Sequence, residues 1–167
     1  MLTGVLNKKT MEKRVSLMLK NRGDKYVIFY MVDLDNFKNV NDTLGHIYGD
    51  QAIVETAQCL NKVFANQDCI GRLGGDEFAV CVSYQAFDEQ GLLEFIGKKA
   101  QEICAGNRRT YTDNASSVSI TSSIGVAYAP DMGDSFTELY TQADCALYYS
   151  KANGKDQYHI YSPKDDN

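Results

Sequence analysis

The stretch RLGGDEFAV, residues 72–80, decides how this chain is read. Two adjacent glycines between apolar runs are the mark of a tight hairpin turn. The expected strands are Cys69–Leu73 and Phe78–Ser83, on either side of it. Asp76 and Glu77 stand where the second strand begins. Acids are depleted in strands and expensive to bury, so two carboxylates at the edge of a core need a reason that turn-making does not provide.

Working outward, residues 26–32 (YVIFYMV) are apolar on both faces, which predicts a central strand. Met11, Val15, Met18 and Leu19 have helical spacing over 10–20, and Asn21-Arg22-Gly23 ends that helix. Ile53, Val54, Ala57, Leu60, Val63 and Phe64 line one face of a helix over 51–64. A third helix spans 92–104. Val118, Ile120, Ile124, Val126 and Tyr128 share one parity, which predicts a strand over 117–128. Ser135-x-x-Glu138 is a capping box that opens a helix stopped near Gly154, and a short strand follows at 158–161. The middle of this order is a split β-α-β-β-α-β unit, whose first and third strands are neighbours. Asp33 and Asp35, at the end of the first strand, are then expected to face Asp76 and Glu77.

The length of 167 residues suits one domain, taken here as 1–167. A net charge of −5 argues against a nucleic-acid polymer as partner. The five cysteines (59, 69, 81, 104 and 145) are odd in number and show no metal-ligand spacing, as expected of buried thiols in a reducing, cytoplasmic compartment. The longest apolar run is too short to cross a bilayer, and no signal peptide is visible. The abrupt start MLTGVLN suggests a domain cut from a longer protein, with Met1 an added residue. The final SPKDDN reads as a solvated tail.

Asp33, Asp76 and Glu77 could converge on one hard cation. Carboxylates with a backbone carbonyl and water suit magnesium, which leaves positions for substrate phosphates. A pair of ions about 3.5–4 Å apart would suit in-line displacement at phosphorus. Each acid alone is more simply a strand end or a solvated turn residue, and it is their convergence that favours a site. The segment 34–41 reads as a loop whose amides could cradle phosphate. Lys38 adds charge there or merely faces solvent, and Phe37 reads as the loop's core anchor. Asn41 and Asp50 could read guanine, which offers N1–H and an N2 amino group to a carboxylate. Their plainer readings are a turn at 41–42 and the N-cap of helix 51–64. His46 reads as structural. Lys151 and Lys155 either complement a helix dipole or neutralise a triphosphate.

These residues resemble a known family. RLGGDEF looks like the GGDEF signature of diguanylate cyclases. DLDNFKNVNDTLGHIYGD (33–50) is similar to that family's D-x-D-x-F-K-x-x-N-D-x-x-G-H-x-x-G-D segment, and LTGVLNKK, SSIGVA and ADCALYYSKANGKDQY resemble three further segments in order. The resemblance implies an α+β fold: a ferredoxin-like nucleotidyl-cyclase palm with a central, mostly antiparallel sheet of about five strands and flanking helices. It implies condensation of two GTP into cyclic di-GMP with release of two pyrophosphates, across a two-fold homodimer driven by an N-terminal sensor or dimerisation domain. Carried over by position, Asp33, Asp76 and the Leu34 carbonyl hold two Mg2+ per GTP, with Mn2+ a possible substitute. Glu77 or Asp76 takes the 3′-hydroxyl proton. Asn41 and Asp50 hold guanine, with His46 near the nucleotide. The amides of Asn36, Phe37 and Lys38, with Lys151 and Lys155, hold phosphates.

Three departures stand out. The acid usually found two positions before Leu-Thr-Gly is absent, which fits truncation. Lys155 stands where Arg is usual, so a bidentate fork is lost. The inhibitory product site, R-x-x-D, reads ANQD at 65–68, with Ala65 in place of Arg and Asp68 present. The competing reading is a non-catalytic GTP-binding regulator. The intact Asp33, Asp76 and Glu77 favour the cyclase.

Overall fold

A run that is apolar on both parities belongs inside a sheet covered on both sides, and Tyr26–Asp35 occupies that place. In the computed structural model, which describes residues 3–65 and 68–166, the elements run β1 (Leu6–Asn7), α1 (Lys8–Lys20), β2 (Tyr26–Asp35), α2 (Phe37–Leu44), α3 (His46–Val63), β3 (Cys69–Gly74), β4 (Glu77–Tyr84), α4 (Glu89–Gly106), β5 (Arg109–Thr112), β6 (Ser117–Ala129), α5 (Phe136–Ala152) and β7 (Gln157–Ile160), with a 3-10 turn at Pro163–Asp166. The sheet order is β1-β3-β4-β2-β6-β5, and β7 pairs with β6. The β2–β4, β2–β6, β3–β4 and β5–β6 ladders are antiparallel, whereas β1–β3 and β6–β7 are parallel. The first and third strands of the split unit are therefore neighbours, as expected.

The parity of β2 divides the protein into two cores. Ile28, Tyr30, Val32 and Leu34 face α3 and α4 with Leu60, Ile96 and Ile103. Val27, Phe29 and Met31 face α1 and α5 with Met11, Val15, Leu139 and Ala143. Asp33 and Asp35 continue the second parity, so they point toward the α1/α5 side. On that side α5 lies directly on β6 at Gly125, where any Cβ would overlap the Ala143 carbonyl and the Leu147 backbone. The capping serine works as read: Ser135 Oγ accepts from the Glu138 amide at 3.1 Å.

Several expectations are corrected. The sheet has seven strands rather than about five. Two-residue β1 is too short to show a period, and β5 (RTYT) is mostly polar. The segment read as a phosphate loop is helical from Phe37, because Phe37, Val40 and Leu44 share a face against the first core. Helix α3 begins at His46 behind Gly45 (φ 95°), so Asp50 lies inside the helix and caps nothing. Strand β2 continues to Asp35, which places Asp33 within the ladder. The C-terminal segment is docked: Tyr161 Oη donates to Asp166 at 2.6 Å, His159 Nε2 lies 2.8 Å from Asp165, and the Ser162 amide donates to Asp165.

Gly125→Ala is expected to lower stability by about 1–3 kcal/mol, the usual penalty of overpacking, because α5 cannot shift without breaking contact along β6. Urea denaturation monitored by circular dichroism measures it.

Candidate active site

The β2–β4 register sets Asp33 directly opposite Glu77. The turn before Glu77 is held in two ways. Arg72 donates to the Gly75 carbonyl from Nε at 2.9 Å and from Nη2 at 2.6 Å. The Leu34 amide donates to the Asp76 carbonyl at 3.2 Å. Gly75 has φ 41°, a conformation that favours glycine, and the β3–β4 register shifts between Arg72 and Gly74. The second glycine and the bulge thus aim Asp76 toward the end of β2.

Asp33 Oδ2 pairs with Lys151 Nζ at 2.6 Å. Asp33 Oδ1 is buried and has no donor. The Asp33 carboxyl is raised to about 6, chiefly by burial and further by Asp76, with Lys151 pulling against both. Burial works against the Lys151 charge, but the hydrogen bond and charge of Asp33, with Asp35 and Asp76 behind, leave the ammonium above its ordinary value. Glu77 is also raised, by burial first and then by Asp144 and Asp76, with Tyr140 Oη making a long contact at 3.5 Å and Lys8 nearby. An orphaned buried carboxylate oxygen beside a second carboxylate is the donor set a hard cation completes.

Among the described residues no three His, Cys, Asp or Glu side chains gather closely enough to cage a metal. Asp33 and Glu77 are paired across the β2–β4 ladder and Asp76 lies close enough to raise Asp33, so the three acids sit together without forming a ready-made cage. Magnesium fits such a partial set because it keeps waters and phosphate oxygens in its shell. The expectation for Asp35 is corrected: it does not join Asp76 and Glu77, but is buried against the hydroxyls of Thr121 and Ser123.

The other predicted residues lie around this pair. Asn36, in the left-handed region at φ 67°, precedes α2, and its side-chain amide donates to the Ser119 carbonyl at 3.4 Å. The amides of 36–38 thus sit at a helix N-terminus. Phe37 packs against the first core as an anchor, and Lys38 is exposed. Asn41 lies against Gly49, where any Cβ would overlap its amide. Asp50 and His46 are exposed on the first turns of α3. Lys151 is brought to the carboxylates. Lys155 is exposed at φ 61°, and among the described residues nothing engages its ammonium. Sequence reasoning missed Gly49 and Tyr48. Tyr48 Oη donates to the Thr112 carbonyl at 3.1 Å and pins the start of α3. A glycine inside a helix is itself a signal of close approach.

At the 65–68 window, Asp68 Oδ2 accepts from the Ala65 amide at 3.0 Å. Asn66 and Gln67 lie outside the described residues, as do Met1 and Leu2 at the start of the chain. Arg72 is occupied at the hairpin turn. Arg14 of α1 and Asn61 of α3 line a shallow pocket with Ala65 and Asp68.

The sequence profile of the family described as "Diguanylate cyclase, GGDEF domain" matches residues 1–157. The chain belongs to the GGDEF domain family. It is 29% identical over 163 residues to the cyclic di-GMP phosphodiesterase PdeR of Escherichia coli, covering 98% of this chain and 24% of that protein. It is 32% identical over 163 residues to the bifunctional diguanylate cyclase/cyclic di-GMP phosphodiesterase MucR of Pseudomonas aeruginosa, covering 96% of this chain and 23% of that protein. The chain thus spans about a quarter of the length of these relatives. The solved GGDEF domain of TpbB (YfiN) from Pseudomonas aeruginosa superposes with a TM-score of 0.88 at 29% identity, covering 99% of this chain and 95% of that one. No helix among the described residues is long and apolar enough to cross a membrane.

If Asp76 helps hold a metal ion, Asp76→Asn is expected to weaken Mn2+ binding without lowering the melting temperature, since it removes a charge that repels Asp33 and Glu77. Manganese titration by electron paramagnetic resonance, beside thermal melts in chelator, measures both.

Proposed function

We propose that this GGDEF domain is a diguanylate cyclase, joining two GTP into cyclic di-GMP with release of two pyrophosphates. The observation that carries the reading is the Asp33–Glu77 register pair, with a buried Asp33 oxygen that no protein group satisfies. Membership of the family supports it. Asp33, Asp76 and the Leu34 carbonyl would hold the magnesium ions. When bound, the ions would supply charge neutralisation of the triphosphate and acidify the attacking 3′-hydroxyl.

The remaining work falls to side chains and amides. Glu77, raised by burial and beside Asp76, takes the 3′-hydroxyl proton, with Asp76 the alternative acceptor. Asp50 accepts from the guanine N1–H and N2 amino group and Asn41 hydrogen-bonds the same base, with His46 beside the nucleotide. The amides of 36–38 and the ammonium groups of Lys151 and Lys155 grip phosphates. One domain holds one GTP, so two domains in two-fold symmetry present the 3′-oxygen of one nucleotide to the α-phosphorus of the other. In a longer protein, an N-terminal sensor or dimerisation domain would set that encounter. A cytoplasmic setting follows from the GTP substrate.

A non-catalytic GTP-binding role is the second reading, favoured by Lys155 in place of Arg and by a relative named only for phosphodiesterase activity. One experiment separates them: incubation with GTP and magnesium, with products resolved by mass. Cyclic di-GMP forming at a rate that rises more than linearly with protein concentration supports the cyclase. GTP binding with no product supports the regulator.

Two further outcomes follow. Asp50→Ala is expected to erode the preference for GTP over ATP by tenfold or more, roughly the effect of losing hydrogen bonds to a charged acceptor; competition binding measures it. Product feedback at the 65–68 window is expected to be weak and to strengthen about tenfold in Ala65→Arg, because a guanidinium clasps phosphate and guanine edges bidentately. Titration of cyclic di-GMP against turnover measures it.

A further inference from the structure

We propose that Asp35 is a positioning residue for the nucleotide's triphosphate, acting through the segment that carries Lys151 and Lys155. This rests on the reading of the site as a GTP site.

Asp35 is 1% exposed. A buried carboxylate is costly unless it is fully paired, and this one is paired on both oxygens. Oδ1 accepts from Ser123 Oγ at 2.8 Å, and Oδ2 accepts from Thr121 Oγ1 at 2.6 Å. Oδ2 also accepts from the Asp156 amide at 3.2 Å. The two hydroxyls belong to β6 and the amide to the turn after α5. Asp35 thus ties the end of β2 to that turn, 121 residues further along the chain.

The turn needs such a tie. Gly154, Lys155 and Asp156 all have positive φ, at 116°, 61° and 49°. Two successive non-glycine residues in the left-handed region persist only where their surroundings over-determine them. Several contacts hold this one, among them Gln157 Nε2, which donates to the Asn153 and Lys155 carbonyls at 2.8 and 3.0 Å. The Lys155 amide donates to the Ser150 carbonyl at 3.0 Å. Arg108 Nε bonds both Asp156 oxygens at 3.1 and 2.9 Å, but that pair is open to solvent and screened. The Asp35 bond is the contact made to a buried charge. It fixes where the turn sits, and so the base from which Lys155 projects. The same carboxylate lies 4.0 Å from Lys151 Nζ, which Asp33 Oδ2 meets at 2.6 Å. One buried carboxylate therefore bears on both lysines, on Lys155 through the backbone of its turn and on Lys151 from 4.0 Å, without taking a place among the proposed metal ligands.

The test compares equilibrium binding of a non-hydrolysable GTP analogue and of GMP, both with magnesium, to the parent, Asp35→Asn, Thr121→Val and Thr121→Ser. The parent is expected to favour the triphosphate. Asp35→Asn is expected to lose about tenfold or more of that preference, with GMP affinity and guanine-over-adenine selectivity retained. Thr121→Val should lose part of it and Thr121→Ser should restore it. Lys155→Ala should cost less in the Asp35→Asn background than in the parent, because the lysine's base has already moved. A folded Asp35→Asn variant that keeps the parent's preference, or loses GMP and triphosphate affinity equally, overturns this inference while the GTP reading stands. If Asp35→Asn does not fold, the Thr121→Val and Thr121→Ser pair decides in the same way. A parent with no triphosphate preference overturns the GTP reading, and this inference with it.

Discussion

The antiparallel register between β2 and β4 is the constraint on which the site depends. A slip of one residue would turn every β4 side chain to the opposite face of the sheet. Glu77 would leave the α1/α5 side, and Phe78 would leave the first core, where it is fully buried. The register is therefore enforced by apolar burial along eight paired positions, Tyr26↔Tyr84 to Asp33↔Glu77. The carboxylates ride at the end of a ladder whose apolar rungs stabilise it. That is how charges which oppose one another can be held together: burial first and mutual repulsion second raise Asp33 and Glu77, and apolar burial of their neighbours fixes them in place.

Lys151 completes this balance. With Asp33 Oδ2 paired to it and Oδ1 unpaired, the carboxylate is half neutralised. The pair depends on α5 resting on β6 at Gly125 with no side chain between them, so a glycine in a strand and a lysine at a helix end form one arrangement.

Much of this was legible in the residues. Apolar runs marked the central strand and the helices, the double glycine marked the hairpin, and strand order followed from the split unit. The acids at both ends of the predicted convergence pointed to the site. What was hidden had physical reasons. Helix α2 was obscured because Asn36, Asn39, Asn41 and Asp42 look like turn residues, although Phe37, Val40 and Leu44 carry a helical period. Asp50 looked like a cap because Gly45, with φ 95°, was not recognised as the break that starts α3 earlier. The different fates of Asp33 and Asp35 depend on β6 hydroxyls and on a turn far along the chain; no local pattern carries that. The docking of 163–166 likewise depends on Tyr161 and His159 meeting acids in three dimensions.

The sheet that separates two cores also separates two kinds of work. Even residues of β2 support α2 and α3, which carry Asn41 and Asp50, while odd residues support α1 and α5, which carry Lys151. Met132 packs against both cores, but substitutions elsewhere on opposite faces of the sheet are expected to add nearly independently. On the proposed reading, the base-facing residues of α2 and α3 can thus drift separately from the phosphate-facing lysine of α5, although the amides of 36–38 lie on the first face. The carboxylates at the strand ends, where the two faces meet, have no such freedom.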